Sequence, residues 1–409
     1  MNYYRFFISN YRVLLFAILL AFFSGFGQTF LLSLYIPSFL KELSINHTIY
    51  SAIYSSATLF SGITIIFVGR IIDRVPIKSF AIAVIVGFAA ANLVASFTFN
   101  LVVLFIAIFM LRFFGQGLLS HTAMTAMGKY FTKARGKALS IAYLGFPIAE
   151  GLFPIIIVST IALIGWRQSF QASALSIIII LFPLTLFLLR NFKKENVKED
   201  MAVNIKAKDI PRIEEERIWS QKEILNKRSF YLFAPTAFLV GFILTALFFF
   251  QTFIAEYKGW SIEWMALNIT AYAISSFTFS ILAGPIIDRY PARIVFPFIL
   301  IPMIVGLGFL SILSHPVATT LFWFFVGISA GLNPTVSNAI YAEEYGTLSL
   351  GGVRSLFAFV MIGSTALGPI FYSLMLDLGL TLNTIHLILS VIMLINVTVL
   401  VKNYHSSKR

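Results

Sequence analysis

The chain is 409 residues long, 59% hydrophobic and only 11% charged, with 30 Lys and Arg against 17 Asp and Glu. A soluble domain carries about 25% charged residues, so this chain cannot cover a water-facing surface and takes the bilayer as its solvent. The absence of cysteine removes disulfides, thiolate metal sites, iron–sulfur clusters and cysteine nucleophiles, and the scattered acids and five histidines offer no metal cluster.

The first twelve residues hold two arginines and several aromatics but no small-residue cleavage site. The apolar run behind them reads as a retained span, not a removable signal peptide. A helix needs about 20 apolar residues to cross the bilayer core. Cutting at charges, Pro and Gly gives spans near 12–40, 48–70, 79–98, 101–127, 136–163 and 168–190. A polar interruption follows, and then spans near 230–256, 262–287, 293–313, 316–341, 351–376 and 380–401. The expected organisation is all-α and polytopic: twelve transmembrane helices in two six-helix bundles, 1–190 and 229–409, joined by a cytoplasmic linker 191–228. The linker mixes acids and bases and reads as a solvated connection with a short surface helix around 212–226.

Twelve spans put both termini on one side. If that side is cytoplasmic, Arg70, Arg74, Lys78, Lys129, Lys133, Arg135, Lys137, Arg289, Arg293, Lys402, Lys408, Arg409 and the linker bases are inside. Only Lys41, Arg167 and Lys258 are then outside, which is the positive-inside pattern. The net charge of +13 therefore sets topology beside anionic headgroups, and nucleic acid is not the expected partner.

Gly69-Arg-Ile-Ile-Asp73-Arg74-Val-Pro76-Ile-Lys78 lies between spans two and three, and Gly284-Pro-Ile-Ile-Asp288-Arg289-Tyr-Pro291-Ala-Arg293 between spans eight and nine, offset by 215 residues. Two such loops at the same place in each half indicate duplication, as transporters commonly show. On these loops, and on Arg112-Phe-Phe-Gly115-Gln116-Gly117 in span four, the chain resembles the major facilitator superfamily along its whole length. Pro76 and Pro291 stand where that family usually has Gly. Glu344-Tyr-Gly346, Gly352-Val-Arg354 and Ala366-Leu-Gly368-Pro369 are similar to branches that include monocarboxylate and oxalate/formate carriers. The resemblance implies two pseudo-symmetric bundles that rock about a midplane site. It also implies a conformational latch made of Gly69, Asp73, Arg74, Lys78, Gly284, Asp288, Arg289 and Arg293. In it Asp73 meets the start of span eleven near Arg354, and Asp288 the start of span five near Arg135. Such a contact, formed in one arrangement and broken in the other, biases the equilibrium between them. The other reading of these loops is basic anchors and tight turns.

Only two charges fall deep within spans: Arg112 in span four and Glu150 in span five, roughly 16 and 20 Å from the respective ends. A mid-span charge costs about 2.5–3.5 kcal/mol on insertion scales and so meets a partner or a watery cavity. Two readings stand: a static Arg112–Glu150 ion pair, or Arg112 holding an anionic solute by a forked contact while Glu150 takes up a proton. His121, nine residues beyond Arg112, is a packing residue or a proton relay. The resemblance places Gln28, Tyr35, Gln251, Asn333 and Asn338 on the cavity-lining spans one, seven and ten; otherwise the amides among them bridge helices.

No Gly-x-x-x-x-Gly-Lys-Ser/Thr loop occurs, and no nucleophile–base set converges at one depth, so neither an ATP-driven pump nor an intramembrane enzyme is expected. The expected function is secondary active transport by alternating access, proton-linked uptake or exchange of a small organic anion. Efflux of drug-like or metabolite compounds by proton antiport is the alternative. No cofactor is expected. The partners expected are a small-molecule substrate, protons and the lipid bilayer, in a monomer of a bacterial inner membrane with both termini cytoplasmic.

Overall fold

The computed structural model describes residues 3–131, 134–190, 219–346 and 349–406, with the side chains at 3, 66, 70, 73, 135, 350, 351, 355 and 404–406 outside the described set. Every regular element among the described residues is helical. Among the described residues, eleven helices are long and apolar enough to cross a bilayer. The helix at the place of the second expected span, His47–Val68, has 22 residues and a length of about 33 Å. It carries no Asp, Glu, Lys or Arg and stands apart from those eleven. It is called span two below.

The chain divides into two compact units, 1–211 and 212–409. In the first, span one (Tyr4–Gly27) packs on span five (Gly136–Ile164), span two on span four (Leu101–Tyr130), and span three (Ile77–Ser96) on span six (Trp166–Leu188). In the second, span seven (Arg228–Phe249) packs on span eleven (Gly352–Asp377), span eight (Ile262–Arg289) on span ten (Val317–Tyr345), and span nine (Ala292–Ile312) on span twelve (Leu382–Asn403). The same three pairings recur in each unit, as duplication requires.

Apolar side chains cannot drive helices together in lipid, so close backbone approach at small residues does. Span ten offers Gly327-Ile-Ser-Ala-Gly331 to span eight: a Cβ at Gly327 would run into Ser275 and Tyr272, and one at Gly331 into the carbonyl of Ser276. Spans seven and eleven meet through Gly241 against Ser364 and Gly368 against the Phe242 carbonyl. Large apolar residues such as Phe60, Ile179, Ile274, Phe359 and Leu387 remain exposed on the spans, as lipid-facing surface permits.

Helix starts follow side-chain capping rules. Asn46 accepts from the amide of Ile49, Asn100 from that of Val103, and Ser261 from that of Trp264. The last ten residues of the expected linker are built into the second unit. Ser220 and Glu223 close a capping box on the helix Gln221–Asn226, Ile224 is fully buried, and the amide of Trp219 donates to Ser349 Oγ at 2.8 Å. The expected surface helix is thus shorter and later than 212–226, and the part of that range before 219 lies outside the described residues.

Candidate functional site

Span one, taken together with its helical continuation to Leu43, is broken in mid-course. Its α-helix ends at Phe23, a 3₁₀ turn covers Ser24–Gly27, and Gln28 is extended (φ −86°, ψ 155°) before helix resumes at Thr29. Glycine is required at the break because span four passes directly against it. A Cβ on Gly27 would meet the carbonyl of Leu111 and lie 2.9 Å from both Gln116 N and Gly115 Cα. Gly115 is in turn covered by Phe88 of span three, and Gly117 by Ile65 of span two. The glycines of the Arg-x-x-Gly-x-Gly stretch therefore admit three neighbouring helices. Over the same residues, Leu111–Leu119, span four is wound as a π-helix, a local insertion common at functional sites.

Arg112 opens that π segment and is 1% exposed. Its Nη1 donates to the carbonyl of Gly27 at 3.3 Å and to Thr29 Oγ1 at 3.1 Å, so it occupies an acceptor that the break sets free. The guanidinium lies over the ring of Tyr54, 5.2 Å from the centroid, and the Tyr54 hydroxyl is 2.6 Å from Thr29 Oγ1. Nε is buried without a hydrogen-bond partner. Among the described residues no carboxylate pairs with Arg112. Glu150, half-buried in span five, has neither an ion pair nor a hydrogen bond among the described residues. The static Arg112–Glu150 pair is absent: similar depth does not make two side chains converge, because each helix also has a rotation about its own axis.

Gln28 sits half-buried at the break itself. Tyr35 serves packing: it is 1% exposed, its hydroxyl bonds Ser169 Oγ at 2.9 Å, and its ring stacks on Phe170 at 3.9 Å. That ties the continuation of span one to span six. In the second unit Gln251 is fully buried, Asn333 accepts from Ser337 Oγ at 2.9 Å, and Asn338 is half-buried. Thr29 and Tyr54 were missed by sequence reasoning. The available signal was the Gly25-Phe-Gly27 pair, which marks a break, together with Tyr50 and Tyr54 one helical turn apart.

The duplicated loops are held differently in the two units. In the first, Gly69–Asp73 forms a 3₁₀ turn. His121 Nε2 lies 3.3 Å from the Gly69 carbonyl, and Lys129 Nζ donates to the Ile72 carbonyl at 2.7 Å. In the second, Glu343 accepts from the amides of Ala292 and Arg293 at 2.7 and 3.2 Å, and Arg293 pairs with Glu344 at 3.2 Å. Arg289 lies over the Tyr290 ring, and Asp288 makes no hydrogen bond or ion pair with the described residues of its own unit. Arg74 and Arg354 are exposed, and Lys78 is half-buried. The expected partners Asp73 and Arg135 lie outside the described side chains.

Three solved structures share this architecture. Two are of the nucleoside transporter NupG: a point mutant (TM-score 0.70, 14% identity, covering 95% of this chain and 99% of that one) and the unmodified protein (0.68, 14%, 99% of each). The third is a bacterial homologue of the human lysosomal transporter Spinster, solved inward-facing and unoccupied (0.66, 14%, 96% of this chain and 95% of that one). At such identity they show the fold alone. None of the curated proteins compared matches the chain. The sequence profile of the Major Facilitator Superfamily matches residues 17–343 and again 233–409. With its helical architecture and the chain-long match, the protein belongs to the major facilitator superfamily and is a multi-pass membrane transporter, not an enzyme.

Proposed function

We propose that this transporter moves a small organic anion together with a proton, by uptake or exchange, with Arg112 holding the anion and Glu150 carrying the proton. The observation that carries the reading is Arg112, a buried guanidinium with no carboxylate partner among the described residues and an unused Nε donor. A lone buried cation is costly, several kcal/mol after relaxation, and the Gly27 carbonyl and Thr29 hydroxyl neutralise none of its charge.

Charge balance then supplies the coupling. With the site empty, an ionised Glu150 cancels Arg112 across the low-dielectric interior. With an anion on Arg112, a protonated Glu150 restores neutrality. States with only one of the two ligands leave a net charge in the membrane, and such a charge is expensive to carry across. The Asp73 and Asp288 loops act as the latches that bias the two arrangements.

The test is a thermal-shift screen of purified protein against carboxylates, nucleosides and drug-like cations, followed by flux of each hit in proteoliposomes with and without a pH gradient. The proposal expects a carboxylate hit whose gradient-driven flux is lost in Glu150→Gln while counterflow survives, and whose binding is lost in Arg112→Met. Cationic or neutral hits, or flux indifferent to pH and to Glu150, would overturn it in favour of efflux by antiport.

A further inference from the structure

Resting on that reading, we infer that Thr29 and Tyr54 are positioning residues for Arg112: together they fix the Nη1 side of the guanidinium and present its Nε side to the solute anion.

The geometry is a closed chain of contacts from three spans. Thr29 Oγ1 accepts from Arg112 Nη1 at 3.1 Å and is 2.6 Å from the Tyr54 hydroxyl. A hydroxyl has one proton and two lone pairs, so accepting from Arg112 leaves Thr29 one further lone pair and its own proton with which to meet Tyr54. Tyr54 acts twice, since its ring face also lies beneath the guanidinium at 5.2 Å, an arrangement favourable to a cation. The Gly27 carbonyl, 3.3 Å from the same Nη1, completes the seat. Both of these acceptors crowd Nη1, while Nε is buried with none. An unpartnered buried donor is destabilising, so an incoming carboxylate is rewarded most where it reaches Nε. With Nη1 fixed, the remaining edge is a planar fork of the kind carboxylates occupy.

Thr29 is placed for this by the break at Gly27 and Gln28. A continuous helix through 24–32 would put the Gly27 carbonyl into an intrahelical bond and withdraw it from Arg112. The broken span, the π segment and the Tyr54 ring therefore serve one orientation.

The experiment uses the full-length protein in detergent, with formate, acetate, lactate and benzoate as probes read by thermal shift. The variants are Thr29→Val, Thr29→Ser, Tyr54→Phe, Arg112→Lys and the Thr29→Val/Tyr54→Phe double. Melting without anion reports folding separately. The inference expects Thr29→Val and Tyr54→Phe each to weaken the best-bound anion about fivefold, read as the anion-induced shift above each variant's own, lowered melting temperature without anion. Thr29→Ser, which keeps the hydroxyl, restores affinity, and the double variant is no weaker than the singles because both act through one chain of contacts. In flux assays the loss falls on KM and not on the maximal rate. If Arg112→Lys loses binding while Thr29→Val and Tyr54→Phe bind as the parent does, the positioning role is wrong and the anion site stands. If no probe binds the parent, or Arg112→Lys binds equally well, the anion reading fails and the positioning role falls with it.

Discussion

The ammonium of Lys129 donates to the carbonyl oxygen of Ile72 across 2.7 Å, tying the end of span four to the last turn before Asp73. Two turns earlier His121 reaches the carbonyl of Gly69 at 3.3 Å, with Thr125 Oγ1 also 3.4 Å from its Nε2. The loop is thus gripped by its backbone carbonyls. In the second unit the grip is inverted in sign: Glu343 takes the loop by its amides instead of its carbonyls.

Removing the Lys129 grip should loosen the loop. A charged hydrogen bond is worth about 1.5–3 kcal/mol when buried; this one is only half-buried, so about 1 kcal/mol is expected, or roughly fivefold in local opening. The chain has no cysteine, so Arg74→Cys gives a clean labelling site beside the loop. Maleimide should label it several times faster in Lys129→Met than in the parent background. An unchanged rate would mean that the 3₁₀ turn and Pro76 hold the loop unaided.

The glycines divide by what surrounds them. Gly27→Ala would force a methyl into the Leu111 carbonyl and the backbone of residues 115 and 116, atoms fixed by helix hydrogen bonding, so a loss of about 3 kcal/mol or more is expected. Gly284→Ala meets nothing within 4 Å and sits inside the helix Ile262–Arg289, where alanine is favoured by about 0.5–1 kcal/mol. Thermal melts of the two variants in one detergent should therefore shift in opposite directions. A large loss from Gly284→Ala would show that the loop glycine is crowded in an arrangement other than this one.

Local pattern made part of the molecule legible and left the rest out of reach. The duplicated loops and the helical spans that carry Arg112 and Glu150 are features of residues near one another in sequence. The Ser220–Glu223 capping box is equally local. The seat of Arg112 is not: its acceptors lie 83 and 85 positions away, and it exists only because span one breaks at Gly27 and span four winds wider from Leu111. Hydrophobic period reports neither event. Tyr35 shows the same limit, since its position in the sequence says nothing of the rotation that sends its hydroxyl to Ser169.

At the opposite end of the first unit from the Gly69 loop, Arg167 joins Glu42 at 2.9 Å, donates to the Thr98 carbonyl at 3.1 Å and lies 4.1 Å over the Trp166 ring. The hydrogen bond from Arg167, and then its charge, hold the Glu42 carboxyl below its ordinary value. A depressed carboxyl contributes stability that is complete above its ordinary value, near pH 4.3 on average; that contribution is lost as pH falls through the depressed value. The melting-temperature advantage of the parent over Glu42→Gln should therefore be constant from neutrality to about pH 5 and vanish in stronger acid. The pair is solvent-exposed, so added salt should shrink the advantage as well. An advantage that survives acid would assign the effect to the packing of Arg167 on Trp166.

His386 is a buried polar residue of the second unit that no motif or charge pattern singled out. It is fully buried, as is Tyr372; its Nε2 lies 2.8 Å from the Tyr372 hydroxyl and its Nδ1 3.3 Å from Ser311 Oγ. Ser311 spends its one proton on the Leu307 carbonyl at 2.8 Å, so it accepts from Nδ1–H, and Nε2 is left to accept from Tyr372. The network joins spans nine, eleven and twelve and fixes the tautomer. Tyr372→Phe keeps the ring stacked on Phe250, 4.6 Å away in the parent, but strands Nε2 as a buried acceptor, at a cost of about 1–3 kcal/mol. Adding His386→Leu removes the stranded acceptor while Ser311 keeps Leu307, so the double variant should recover part of that loss. Denaturation of the four proteins in detergent measures the cycle. Recovery marks a satisfied polar bridge whose value lies in its pairing; a double variant that simply adds the two losses would mean that each ring stabilises the unit through its own packing.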